Sequence, residues 1–514
     1  EDHELLQFVL TLHDGDTLYD IVLQDANNNS MQVRIDFLQP DIWLMNGDEI
    51  LQCDIYNQWF YDHTSLYSMN LDPPVLTAFN NDWELVDCYD YGAFFTSPII
   101  TKTQGDSVTT TTSFNSDFPT PTKPGVYNGQ PYSINYVNQI LADGELFSSN
   151  LTFISSNNKV IELPDFTFNL VNDSNVFEGG LGLAGNPYGS GFLDSLKLNE
   201  YINSSGYSLF FQNDTRPFGL LLPGSVNTKY LSGDFYEFDL INYTGINDND
   251  NNNFVKLPIL QLDDLIIENS KNGNTLSLNS NLSSIGVLLD PRSYYTYLPL
   301  ETLVNLAMQI NAVYNYQTDR WIVQCDNVYE NQPILQFVFG PLKINIELSA
   351  FTSEAYFNSQ SLQFNNGEKA CFLQFLPSSS SGYFSLGSDF IRQIYLAVDN
   401  EGDKIALANT NQNLDINLKD FSFSNNPSSF HPRNLTNSKS IDYISSGKIP
   451  FATHHKISDP VTWSYSTNTD STTDIPARFL GAVIESGKIL TNGQSDTHSS
   501  ILPGMASAAK ENTT

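Results

Sequence analysis

A chain of 514 residues with a formal net charge of −35 is long enough for a large two-lobed body and too acidic to present the basic face that nucleic acid requires. The charge suits cationic substrates drawn in over distance, and it equally serves to keep a surface protein soluble. Apolar residues (40%) and aromatics (13%) suffice for a buried core, while no apolar run approaches the roughly 18 residues of a membrane helix. The sequence opens at Glu1 without a charged-then-apolar leader, and so reads as a mature chain whose targeting segments have been removed.

Periodicity favours strands from the start. MQVRIDF (31–37), YSINYV (132–137), the stretch around 262–269 and ILQFVFGPLKINIEL (334–348) are rich in β-branched and aromatic residues and often alternate. Helical patterns are few; SLKLNEYI (195–202) and LETLVNLAMQI (300–310) are the best. Residues 101–125 are Ser/Thr/Pro-rich and predict a long exposed loop, and 247–253 (NDNDNNN) a polar loop tip. From residue 412 the strand pattern fades into Ser, Thr and Asn, which predicts an extended, O-glycosylated stalk over 412–514. The expectation is a mostly β fold of two lobes, 1–205 with Asp36 and 206–411 with Asp290, followed by that stalk.

The four cysteines, Cys53, Cys88, Cys325 and Cys371, fall as one pair per half, without CxxC or Cys/His spacing. Two local disulfides are therefore favoured over a zinc site. Sequons begin at Asn28, Asn150, Asn172, Asn203, Asn213, Asn242, Asn281, Asn434 and Asn512. With the paired cysteines they indicate a secretory route.

The two halves echo one another. VRIDFLQPDIWL places Asp36 after an apolar strand with Trp43 and Leu44 seven and eight residues on; VLLDPRSYYTYL places Asp290 likewise, with Tyr297 and Leu298 at the same offsets. A Gly-centred apolar element follows in each half, GGLGLAG (179–185) and FSLGSDF (384–390). An Asp after a strand commonly caps a turn, but matched offsets suggest one carboxylate delivered by each copy of a duplicated lobe. Two carboxylates about 3 Å apart share a proton. The ionised one takes a proton from a water held between them, and the protonated one hydrogen-bonds the scissile carbonyl, with no metal or cofactor.

On these residues the chain resembles the pepsin-type aspartic endopeptidases and, among them, the fungal GPI-anchored yapsins, over about Leu18 to Asn409. YSLFF (207–211), the stretch 220–240, CFLQFLP (371–377) and 384–408 follow that family in order. The resemblance implies a bilobal β fold with a cleft, catalytic Asp36 and Asp290, a flap tyrosine at Tyr136 supported by Trp43, and disulfides Cys53–Cys88 and Cys325–Cys371. It further implies a monomer acting on protein or peptide substrates with basic residues, carried to the cell surface and held by a lipid anchor to the plasma membrane or in the cell wall.

The motif itself departs from the family's Asp-Thr/Ser-Gly-Ser/Thr. The first copy reads Asp36-Phe37-Leu38-Gln39 and the second Asp290-Pro291-Arg292-Ser293. Phe37 and Pro291 remove the hydroxyls that bridge the loops; Leu38 and Arg292 place side chains where glycine lets the backbone lie flat; Pro291 also removes an N–H. After Tyr136, Val137, Asn138 and Gln139 stand where the family has Gly-x-Gly, which stiffens the flap. A guanidinium reaching the aspartates would favour both ionised and remove the general acid; an Arg292 facing solvent would not. Three functions follow as alternatives: a surface endopeptidase of reduced activity, a pseudoprotease that binds peptides or proteins in its cleft, or a structural wall glycoprotein. No metal-ligand spacing, GxSxG elbow or phosphate loop offers another site; the seven histidines are scattered.

Overall fold

The computed structural model describes residues 5–12, 19–26, 28–48, 91–96, 103–104, 107–108, 126–135, 141–174, 178–185, 191–212, 218–244, 256–279, 283–315, 318, 320–357, 360–364, 366–378, 381–416, 421, 426–431 and 439–464. Strands dominate, and they form the two-lobed β architecture that the resemblance implies. Of the two expected helices, Leu300–Ile310 keeps the bounds read from its periodicity, while the other runs Phe192–Leu198 and stops in a turn at Asn199. The segment 334–348 splits into an antiparallel hairpin, Ile334–Phe339 with Leu342–Glu347, because Gly340 turns the chain at φ 53°.

One long sheet runs through the junction of the lobes. Its central strands are Ile394–Asp399, Gly206–Gln212, Phe218–Pro223 and Phe8–Leu12, and it continues into the first lobe through Tyr19–Asp25 and Ser30–Asp36. The junction strands YSLFF, FGLLLP and IYLAVD are apolar almost throughout, the pattern of strands buried on both faces. Their alternation divides them between two cores. Leu209, Leu221 and Leu396, with Leu407 of the adjoining strand Lys404–Thr410, point into the main core shared by the lobes. Phe210, Leu220, Tyr395 and Ala406 point to the opposite face.

That opposite face is covered by chain expected to belong to an extended stalk over 412–514, which instead packs on the body as far as residue 464. Residues 426–431 and 439–464 form a strap held to both lobes. Ser428–Ser429 pairs with Lys159–Val160 of the first lobe, Ile441–Tyr443 with Ser225–Asn227, Thr453–His454 with Tyr236–Glu237, and Trp463–Ser464 with Tyr243–Thr244. Ile444 and Ile449 complete the second core, fully buried, and Phe430 and Trp463 enter the main one. Burying an Ile contributes about 1.5–3 kcal/mol. Buried polar groups fix the strap's backbone: Asp399 accepts from Gly447 N at 2.6 Å, Glu237 from Ile449 N at 2.8 Å, and Ser204 Oγ donates to Ile444 O at 2.7 Å. Compositional polarity misled because a strap needs few apolar residues when its partner supplies the rest of the core.

Cys325 and Cys371 form a disulfide, with Cα atoms 5.1 Å apart. Cys53, Cys88, Tyr136 and most of the 101–125 insert lie outside the described residues, as do Asn213, Asn281, Asn434 and Asn512. Of the other sequons, Asn28, Asn150, Asn203 and Asn242 are exposed and Asn172 is half-buried. Among the described residues no helix is long and apolar enough to cross a membrane.

Candidate active site

Asp36 ends the strand Ser30–Asp36, whose alternation sends Met31, Val33 and Ile35 into the core. Its neighbour Gly179–Gly182 runs parallel, with Gly182 opposite Asp36. The loop after Asp36 then folds back on the glycine strand: Leu183 N donates to Asp36 O at 2.8 Å, Gly182 N to Asp41 O at 2.9 Å and Ala184 N to Gln39 O at 3.1 Å. A Cβ on Gly182 would run into the carbonyl oxygens of Gln39 and Asp41, so only glycine allows this approach.

The second lobe repeats the device. Asp290 follows the strand Ile285–Leu289, which runs parallel to Ser385–Leu386. Asp290 N donates to Leu386 O at 3.0 Å and Ser388 N to Ser293 O at 2.7 Å. A Cβ on Gly387 would meet the carbonyls of Tyr295 and Ser293. The sequence echo of two Gly-centred elements is thus a structural echo: each packs flat against one aspartate loop.

Both loops keep the same local geometry despite their substitutions. Leu38 N donates to Asp36 Oδ1 at 2.8 Å, and Arg292 N to Asp290 Oδ1 at 3.0 Å. Neither Leu38 nor Arg292 has a positive φ. The loops therefore tolerate L-residues where the family has glycine, and the outcome turns on where the side chains go. Leu38 is buried in the main apolar core. Phe37 is also buried there, its ring 5.9 Å from that of Tyr207 on the junction strand. Pro291 is buried.

Arg292 goes to the aspartates. Its Nε donates to Asp290 Oδ1 at 3.1 Å and its Nη2 to Asp290 Oδ2 at 3.4 Å, while Nη1 lies 3.5 Å from Asp36 Oδ2. All three residues are buried: Asp36 is 3% exposed, Asp290 0% and Arg292 6%. One guanidinium thus joins the carboxylates of both lobes, gripping Asp290 in a fork and Asp36 by one longer contact. Of the two placements open from sequence, the solvent-facing one is excluded.

Neighbouring groups respond to this buried setting. Burial, then the charge of Asp36, raises the Tyr207 phenol above its ordinary range, so it stays neutral. Burial pushes Tyr297 up to about 12, helped by Tyr295 and Asp290 and opposed by a hydrogen bond with Ser293. Burial alone pushes Asp41 up to about 6; Asp389, two residues after Gly387, is pushed to about 6 by burial against the opposing charge of Arg392. Trp43 is 3% exposed, and its indole N–H finds no acceptor among the described residues. Sequence reading gave Tyr207, Asp41 and Asp389 no role, since nothing in their local pattern signals proximity to the aspartates. No group of His, Cys, Asp and Glu among the described residues could hold a metal.

A family model described as eukaryotic aspartyl protease matches residues 101–410, a span that includes Asp290 and excludes Asp36. Similar curated proteins include the aspartic proteinase yapsin-7 of Saccharomyces cerevisiae, 32% identical over 324 residues, covering 60% of this chain and 51% of that protein. Yapsin-3 of the same yeast is 26% identical over 216 residues (41% of this chain, 38% of that one), and secreted aspartic protease 9 of Candida albicans 24% over 293 (55% and 49%). The chain spans about half the length, or less, of these curated relatives. With more than half of the chain matched by that model, and an aspartate loop packed on a Gly-containing element in each lobe, the chain belongs to the eukaryotic aspartyl protease family.

Proposed function

We infer that this protein is an aspartic endopeptidase of the cell surface whose activity is held far below the family's ordinary level by Arg292. The reading is carried by one observation, the guanidinium joined to both Asp36 and Asp290. The chemistry expected of the pair needs a water between the carboxylates and one proton shared by them. A cation that donates to both competes for the same oxygens and the same space. The contact to Asp36 is the longest of the set, at 3.5 Å. Arg292 is therefore better tied to its own lobe, and turnover requires it to release Asp36 and make room for water. Phe37 and Pro291 supply no hydroxyl to bridge the loops, so the salt bridge takes over that fastening.

The substrates are proteins or peptides, with Lys or Arg near the cleaved bond as the yapsin resemblance implies; the net charge of −35 supports this by long-range attraction. Catalytic roles fall to Asp36 and Asp290, with Tyr136 and Trp43 at the flap. A secretory route is supported by the Cys325–Cys371 disulfide and four exposed sequons. Attachment by a lipid anchor rests on the resemblance alone. The second reading, a cleft that binds peptides without cutting them, is favoured by the forked grip of Arg292 on Asp290.

The purified protein incubated with a basic peptide library between about pH 3 and 7 decides between them. Slow cleavage is expected, abolished in Asp36→Asn/Asp290→Asn, with kcat/KM rising at least about 10-fold in Arg292→Gly, because a blocked or misplaced dyad costs about 100-fold per ångström. Saturable binding without cleavage in both wild type and Arg292→Gly would establish the binding-only reading instead.

A further inference from the structure

The strand that delivers Asp290 is supported from the strap. In the parallel pair Ile285–Leu289 and Ser385–Leu386, Leu288 N donates to Phe384 O at 3.1 Å, two residues before Asp290 N meets Leu386 O. Trp463 joins the pair at this point. Its Nε1 donates to the same Phe384 carbonyl at 3.0 Å, so that one oxygen accepts from the strand and from the strap. A Cβ built on Gly286 would stand 3.0 Å from Trp463 Cβ; glycine lets the strap lie directly on the Asp290 strand. The indole is 1% exposed.

Trp463 also reaches the far side of the aspartate loop. Its ring packs on Tyr383 at 5.6 Å, Tyr383 on Tyr297 at 6.4 Å, and Tyr297, seven residues after Asp290, on Tyr295 at 6.3 Å. The loop carrying Asp290 and Arg292 is thus bracketed, upstream through Gly286 and Leu288 and downstream through Tyr297. Trp463 lies outside the 101–410 span matched by the family model.

We propose that Trp463 is a positioning residue for Asp290, setting the register of the loop from outside the family domain; this rests on the reading of Asp290 as catalytic. Loss of the indole empties the space against the Tyr383 ring and leaves Phe384 O one donor short. The Ser385–Leu386 strand then relaxes toward the void and takes the Asp290 backbone with it.

The test uses the full chain with Trp463→Phe, Trp463→Ala and, as a control, Ile449→Ala, which is fully buried in the same strap but packs on the opposite face of the junction sheet. Turnover of a basic peptide, measured in the Arg292→Gly background, is expected to show kcat lower by about 10-fold for Trp463→Phe and about 100-fold for Trp463→Ala, with KM within twofold. Ile449→Ala should lower stability and leave kcat within twofold. A second readout needs no turnover: the Arg292 Nε–H resonance in the otherwise native chain, identified by its loss in Arg292→Gly, should shift in both Trp463 variants and hold still in Ile449→Ala. If Arg292→Gly shows no turnover, the peptidase reading fails while the resonance still decides the positioning role. An unmoved resonance in Trp463→Ala, or equal effects from Ile449→Ala, overturns the proposal.

Discussion

At the scale of single residues, Arg292 couples two carboxylates that belong to different lobes, and the coupling is unequal. Removing one partner of a buried ion pair leaves the other charge stranded, at a cost of about 3–5 kcal/mol. Asp290 supplies the fork and Asp36 the single longer contact. Asp290→Asn should therefore destabilise by about 3 kcal/mol and Asp36→Asn by clearly less, as read from urea midpoints at pH 7; the reverse order would contradict the geometry. Asp41 offers a pH-dependent companion. Its carboxyl is raised to about 6 in the folded protein, against an ordinary 3.8. A raised acid favours folding while protonated, so its contribution is intact below about pH 4, declines as pH rises to about 6, and stays lost above. Asp41→Asn removes the charge without removing much volume. It should raise stability at pH 7 by on the order of 2 kcal/mol and change little at pH 4.

At the scale of elements, the two Gly-containing segments, Gly179–Gly182 and Ser385–Leu386 with Gly387 after it, are what make an aspartate loop in each lobe. Gly387→Ala forces a methyl into the carbonyls of Tyr295 and Ser293, and should cost more than about 2 kcal/mol, since backbone oxygens cannot step aside as a side chain can. Thermal denaturation would show it, and an unchanged midpoint would mean that the loop is looser than its hydrogen bonds indicate. These elements were legible in the sequence because their signals are local. The +7 and +8 echo after Asp36 and Asp290, the alternation in MQVRIDF and the 3.6-residue period of LETLVNLAMQI each report on a few neighbouring residues. The direction of Arg292 was not legible, since a side chain two residues from Asp290 can reach inward or outward with the same sequence. Nor was the strap, whose apolar anchors Phe430, Ile444, Ile449 and Trp463 are too sparse to show a period. The signal lay in its partners: YSLFF and IYLAVD are apolar on both faces, and one of those faces required a cover.

At the scale of the whole molecule, the strap makes the body extend to residue 464 and binds first lobe, junction and second lobe into one unit. Ile444→Ala with Ile449→Ala should cost at least about 4 kcal/mol together, taking about 2–5 kcal/mol for each large-to-small change in a packed core, and unfolding should remain a single transition by fluorescence and circular dichroism. Two separate transitions would show that the lobes hold together without the strap. The order of synthesis gives this arrangement a further consequence. Phe8–Leu12 waits for Phe218–Pro223 before its second edge can pair, and the junction sheet waits for residues 441–449 before its outer face is closed. A nascent chain therefore carries Phe210, Leu220 and Tyr395 only partly covered, by Tyr230 and Phe235, until nearly all of the described body has left the ribosome, and pairings this distant in sequence form slowly. The cell's folding machinery meets an unfinished sheet for most of the protein's synthesis, and the segment that completes it is the one whose composition looks least like part of a fold.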